Sequence, residues 1–182
     1  MIAPVDISGV TIETPRLILR PWKTTDLQDF FEYASVDGVG QMAGWLPHES
    51  LEKSQQILNM FLDGKDTFAI VLKENNKVIG SLGIDSSMDI ADIPGYGREI
   101  GYVLSKEFWG RGLMPEAVKA AIDYCFRVLQ MDYLACGHFE WNHQSRRVIE
   151  KCGFQFWKDV AFKTRAGDME NTRLYILHNN TK

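Results

Sequence analysis

Two glycines, Gly110 and Gly112, follow an apolar run, Glu99-Ile-Gly-Tyr-Val-Leu104, and precede a helical pattern. A strand, a glycine-bearing loop and a helix N-terminus in that order make an anion site. The first N–H groups of a helix have no intrahelical partner, and the macrodipole is positive there. Glycine lets the main chain take φ > 0 and approach a phosphate closely. Pro115 suits the first helical turn, where its missing N–H costs nothing. The loop is expected to grip a phosphate or pyrophosphate; the competing reading is a tight turn and nothing more. No Gly-Lys-Ser/Thr follows it, so it is not a Walker loop. A third glycine is missing and the strand lies far from the N-terminus, so it is not a good dinucleotide fingerprint.

The other reactive side chains carry less. Cys125, Cys136 and Cys152 have no metal-type spacing, and no metal site is expected. Their odd number and apolar neighbours suggest buried, reduced thiols in a cytoplasmic protein. None sits on a loop beside a histidine, which argues against a cysteine nucleophile. The net charge of −4 gives no reason to expect nucleic acid as a partner. No apolar run approaches the roughly 20 residues a membrane helix needs. Residues 1–10 have no basic start and no long apolar core, so no signal peptide is expected. With 182 residues, 45% of them hydrophobic, a single domain over 1–182 with a real core is expected.

The elements that position these residues read as follows. Residues 11–22 form a first strand around Leu17, Ile18 and Leu19. Thr25 and Gln28 suggest a capping box, and Leu27, Phe30, Phe31 and Ala34 give one apolar helical face. Ser50 caps a second helix carrying Leu51, Leu58, Phe61 and Leu62. Residues 67–72 and 77–84 make a hairpin around Glu74-Asn-Asn76. The strand over 98–104 leads through the glycine loop into a helix with Met114, Val118, Ala121, Cys125 and Leu129 inward. A strand over 133–139 follows. Asn142 then caps a short helix, which Gly153 stops. Strands over 154–162 and 173–177 close the chain. The order predicts an α/β (α+β) fold with a mixed, mostly antiparallel central sheet of about seven strands and four helices.

This order, the glycine loop, and the later Asn142-His-Gln-Ser-Arg-Arg-Val-Ile-Glu-Lys-Cys-Gly-Phe154 resemble the GNAT N-acetyltransferase superfamily. Trp109-Gly-Arg-Gly-Leu-Met-Pro-Glu-Ala117 and the opening Thr14-Pro-Arg-Leu-Ile-Leu-Arg-Pro21 are similar to its RimJ/RimL-type branch. That branch acetylates protein N-termini and small amines. The family's loop ends in Gly or Ala where this chain has Met114. The resemblance implies acetyl-CoA as acetyl donor and a primary amine as acceptor. Gly110, Arg111, Gly112, Leu113 and Met114 would hold the pyrophosphate, mainly through main-chain N–H groups. Tyr102, Val103 and Leu104 would offer strand-edge groups to the pantetheine, and Asn142 would hydrogen-bond it. Arg111 would reach a phosphate or stand in solvent, and Asn142 competes with its own role as a cap.

The implied reaction is direct attack of a neutral amine on the thioester carbonyl in a ternary complex. It needs a base, donors for the oxyanion, and help for the leaving thiolate. Glu99 is the candidate base, with Glu140 and His138 in reserve; the competing reading of Glu99 is a salt bridge. The N–H of Val103 or Leu104 is the candidate oxyanion donor. Many superfamily members place an acidic tyrosine where this chain has Ile149. In the resembled branch a serine three residues after the asparagine is proposed instead, and that is Ser145. Trp45, Tyr96 and His138 are candidates for an acceptor pocket, with Trp22 and Trp141 beside them; all could equally be packing residues. A non-catalytic acyl-CoA-binding or sensor protein on the same fold is the alternative. The oligomeric state stays open between monomer and homodimer.

Overall fold

Pro15 splits the first apolar run into two strands, β1 (Ile12–Glu13) and β2 (Leu17–Pro21). Thr14 closes the turn between them: its N–H donates to the Leu17 carbonyl, and its hydroxyl accepts from the Leu17 N–H, both at 2.9 Å. This split raises the strand count among the described residues to eight, one above expectation. The computed structural model describes residues 5–180; residues 1–4 and 181–182, which the readings of the N-terminus and of a 1–182 domain also covered, lie outside the described residues.

Helix α1 (Leu27–Ala34) and helix α2 (Leu51–Gly64) come next. The capping box expected at Thr25 and Gln28 is not what starts α1. Asp26 accepts the Lys23 N–H at 2.8 Å and forms a two-pronged ion pair with Arg20. Ser50 caps α2 as its position predicts, accepting the Lys53 N–H at 3.1 Å. Strands β3 (Thr67–Leu72), β4 (Lys77–Asp85) and β5 (Gly97–Leu104) lead to helix α3 (Leu113–Arg127). Strand β6 (Tyr133–Phe139), helix α4 (His143–Lys151), and strands β7 (Gln155–Lys163) and β8 (Met169–His178) finish the fold.

The strands form one sheet in the order β1-β2-β3-β4-β5-β6-β8-β7. Every neighbouring pair is antiparallel except β5 with β6. Side chains alternate between faces. One face carries Leu17, Leu19, Ile100, Leu104, Leu134 and Cys136, packed against α3 and α4 through Leu113, Met114, Val118, Ala121, Cys125 and Ile149. The other carries Ala69, Val71, Val78 and Val103, packed against Phe30, Tyr33 and Leu58 of α1 and α2.

The parallel pair is short. It runs from Gly97 opposite Tyr133 to Glu99 opposite Ala135, and there the ladder ends. Strand β5 stays bound to β4 along its whole C-terminal half, from Glu99 opposite Asp85 to Leu104 opposite Gly80. The sheet therefore forks at Glu99 and Ala135.

Candidate active site

The fork leaves one edge of β5 unpaired, and the ladder decides which main-chain groups face it. The Ser105 N–H donates to the Ile79 carbonyl at 2.7 Å, so odd-numbered positions point toward β4. The Tyr96 carbonyl accepts from the Asp132 N–H at 2.7 Å, so even-numbered positions point toward β6. By this alternation the N–H of Val103 belongs to the β4 ladder, and the groups of Tyr102 and Leu104 face the fork. Of the Val103 and Leu104 N–H groups, only that of Leu104 faces the fork.

A cleft of about 600 Å³ opens along that edge. Tyr102, Val103 and Leu104 form one wall; Trp109, Gly110, Gly112, Leu113, Met114 and Pro115 form its end. Helix α4 lines it along its length, from His143 to Lys151, and Val39 and Met42, from the stretch between α1 and α2, line it too. Trp109 ties the loop to the strand by donating its indole N–H to the Leu104 carbonyl at 2.8 Å.

The glycine loop has the conformation its residues predict. Gly110 has φ +73° and Gly112 φ +75°, in the left-handed region that side chains disfavour. A Cβ on Gly110 would meet nothing within 4 Å, so backbone shape rather than crowding requires glycine there. Gly112 is the N-cap of α3 and makes no side-chain cap, which leaves the first-turn N–H groups to the cleft. Leu113 and Met114 line the cleft and are buried, packed in the core beneath it. Arg111 is exposed, with its guanidinium 5.3 Å from the Phe108 ring centroid.

Sequence reasoning missed what holds this loop. Glu116, one turn into α3, accepts from the Thr14 hydroxyl at 2.6 Å, the Arg16 N–H at 2.9 Å and the Arg16 Nε at 2.7 Å. Arg16 Nη1 also donates to the Arg111 carbonyl at 2.9 Å, between the two glycines. Burial pushes the Glu116 carboxyl up, but these hydrogen bonds and the Arg16 charge outweigh it, and it titrates below its ordinary range.

Helix α4 presents His143, Arg147 and Lys151 to the cleft, at i, i+4 and i+8. The last two were also missed, although their four-residue spacing was legible. Asn142 is buried and engaged at both ends of its amide. Its Oδ1 accepts the Ser145 N–H at 3.0 Å, and its Nδ2 donates to the Met42 carbonyl at 3.2 Å. Ser145 lines the cleft, and its hydroxyl lies 2.8 Å from the Tyr102 hydroxyl. Ile149 is fully buried in the core.

Glu99 stands at the fork, on the sheet face opposite α3, and does not line the cleft. Its cross-strand neighbour is Asp85. Burial raises the Glu99 carboxyl; a hydrogen bond from Ser87 opposes this and the charge of Asp89 adds to it. Asp85 meets solvent on one side, but protein around the rest, together with the charges of Asp66 and Glu99, raises it to about 6 against Arg165 and Arg98. Asp85 was a further omission, because a cross-strand partner cannot be read from one strand.

The remaining candidates lie elsewhere. His138 is buried, with Nδ1 donating to the Phe139 carbonyl at 2.8 Å and Nε2 3.3 Å from the Tyr175 hydroxyl. Burial and the charges of Arg146 and Arg173 hold its pKa low, against the Phe139 carbonyl and Glu150. Tyr96 precedes β5, at the end away from the cleft, and donates its N–H to Asp132 at 2.7 Å. Trp45 packs on Gly40, with its ring 5.1 Å from that of His48. Trp22 is core, its ring tilted against those of Phe30 and Phe61. Trp141 is exposed and donates to Glu170 at 3.0 Å, and Glu140 accepts from the Asn171 amide at 3.1 Å. All three cysteines are buried, and among the described residues no cluster of His, Cys, Asp or Glu could hold a metal ion. Among the same residues no helix is long and apolar enough to cross a membrane.

Comparison with known proteins bears on this geometry. The profile of the acetyltransferase (GNAT) domain matches residues 16–155. The chain is 29% identical over 150 residues to the uncharacterized N-acetyltransferase p20 of Bacillus licheniformis, covering 80% of this chain and 82% of that one. Its fold is similar to a GNAT-family acetyltransferase from Bacillus anthracis, with TM-score 0.82 and 19% identity over 93% of this chain and 99% of the other. It is also similar to the ribosomal-protein-S5-alanine acetyltransferase of Vibrio fischeri, with TM-score 0.73 and 22% identity over 95% and 98%.

Proposed function

We propose that this chain, which belongs to the acetyltransferase (GNAT) family, moves an acetyl group from acetyl-CoA to a primary amine in a ternary complex. The observation that carries this is the fork. An unpaired edge of β5 runs into a loop of two left-handed glycines at the N-terminus of a 15-residue helix, along one continuous cleft. The residues fit the donor: a pantetheine can add to the edge as a strand would, and the loop and helix dipole favour a pyrophosphate. Arg147 and Lys151 add positive charge along the same cleft.

When bound, acetyl-CoA supplies an acetyl group activated as a thioester. The chain's part is to orient and to handle charge. The Leu104 N–H faces the fork and is the donor for the acetyl oxygen as charge builds there. Glu99, at the fork on the other face, is the group to take the proton of the incoming ammonium, and its burial, with the charge of Asp89, keeps its affinity for that proton high. Ser145 is the polar side chain on the α4 wall that would meet the leaving sulfur. The acceptor is a protein N-terminal α-amine or a small-molecule amine, as in the RimJ/RimL-type branch, and the setting is the cytoplasm.

Titration calorimetry with acetyl-CoA tests the reading. Wild-type protein binds it, and Gly112→Asp, which puts an anion and a strained side chain into the cradle, does not. A folded wild-type protein that fails to bind overturns the proposal. The burial of Ile149, which removes the usual α4 hydroxyl, favours one second reading: a sensor that binds acyl-CoA without turnover. Binding with no acetylation across a broad amine panel would select it.

A further inference from the structure

We propose that Tyr102 is a positioning residue for Ser145, and that the two hydroxyls act as one donor aimed at the leaving sulfur. This rests on the acetyltransferase reading above. Tyr102 comes from β5 and Ser145 from the first turn of α4, 43 residues apart, and both line the cleft. The Tyr102 hydroxyl lies 2.8 Å from the Ser145 hydroxyl and 3.2 Å from the Ser145 carbonyl. A phenol has one hydrogen, so it can serve only one of these acceptors well.

Two arrangements follow. In the first, Tyr102 donates to the Ser145 carbonyl and the Ser145 hydroxyl donates back to Tyr102. No hydroxyl hydrogen then faces the cleft. In the second, Tyr102 donates to the Ser145 hydroxyl, whose own hydrogen is released into the cleft. Negative charge appearing there favours the second arrangement, because both hydrogens then point toward it and each bond polarises the other. Serine alone has no group to hold its hydroxyl in that orientation. Tyr102 supplies it from the strand, since position 149 of α4 is a buried isoleucine with no hydroxyl.

Burial raises the Tyr102 phenol well above its ordinary value, against the hydrogen bond with Ser145, so it stays protonated. The pair therefore works by hydrogen bonding and not by losing a proton. In the balanced step the N–C bond forms and the C–S bond breaks. The amine proton leaves through the base to solvent, and sulfur departs as a thiolate that later takes a proton from water. Ser145 and Tyr102 end as they began.

The test uses Tyr102→Phe, Ser145→Ala and the double variant, with two readouts. The first is the pKa of the thiol of bound CoA, from ultraviolet thiolate absorbance across pH. Loss of the donor pair raises it by about one unit, a tenfold weaker preference for thiolate. The second is kcat, which falls about tenfold to a hundredfold in each single variant with KM for acetyl-CoA little changed. In the Ser145→Ala background, Tyr102→Phe costs little more, because the tyrosine acts through the serine. A merely structural tyrosine would cost the same in both backgrounds and leave the bound thiol unmoved; either result overturns the inference. Tyr102→Phe keeps the ring and its packing, and unchanged CoA affinity certifies the fold. Wild-type protein that does not bind CoA overturns the acetyltransferase reading itself, whereas wild-type turnover with an indifferent Tyr102→Phe overturns only this proposal.

Discussion

Glu116→Gln is the sharpest probe of how the phosphate loop is held. The carboxylate accepts from the Thr14 hydroxyl and from the Arg16 main-chain N–H, and its other oxygen pairs with Arg16 Nε and Nη2, each at 2.7 Å. The amide is nearly isosteric, but it brings an NH₂ group to a site surrounded by donors. At least one of the charge-assisted bonds must be lost. Such a bond is worth about 1.5–3 kcal/mol when shielded. The Glu116 side chain is 15% exposed but that of Arg16 is 48%, so solvent reduces the figure to about 1–2 kcal/mol. In a domain of this size that lowers Tm by about 2–8 °C. The sign with pH follows from the depressed carboxyl. Its stabilisation is fully present above the unfolded value near ~4.3, and is lost as pH falls through the folded one. The Tm gap between wild type and variant therefore closes in acid. Arg16 also grips the Arg111 carbonyl, so releasing it loosens the stretch between Gly110 and Gly112, and Kd for acetyl-CoA rises about tenfold. Thermal melts across pH and calorimetry at neutral pH read both effects. A variant with unchanged Tm and unchanged Kd would refute the idea that this latch holds the loop.

The carboxylate pair at the fork makes a prediction of opposite sign. The Asp85 carboxyl is raised to about 6, so between its unfolded value and that pH the folded chain binds more protons and stability falls as pH rises. Asp85→Asn removes that penalty and raises Tm at neutral pH while changing the acid limb of the kcat/KM profile; a lower Tm would contradict it. On α4, Arg147→Glu together with Lys151→Glu weakens acetyl-CoA binding by about tenfold or more and reduces its dependence on salt, read by calorimetry at two ionic strengths. Unchanged affinity would show that the stripe does not face the phosphates.

Much of the frame is local and was legible. Gly110 and Gly112 marked left-handed turns because few other residues take that conformation without strain. Ser50 and Asn142 marked helix starts because their side chains close a ring only a few residues long. The inward set Met114, Val118, Ala121 and Cys125 followed from helical spacing alone. Pro15, read inside one strand, shows the limit of local reading: its effect was visible in type but not weighed against the apolar run on either side.

The sequence by itself determined the element order and the glycine loop at the head of α3, because each rests on torsion preferences and periodicities within a few residues; the family followed from the resemblance of the motifs around Gly112 and Asn142. Tertiary structure alone decided the working parts of the site. Arg16 meets Glu116 across 100 residues, Tyr102 meets Ser145 across 43, and Asp85 meets Glu99 across the β4–β5 ladder. The fork depends on where one parallel pairing stops, and the direction of the Leu104 N–H depends on ladder parity set by β4. Contacts between distant segments are fixed by the packing of the whole sheet, so no window of the chain contains them.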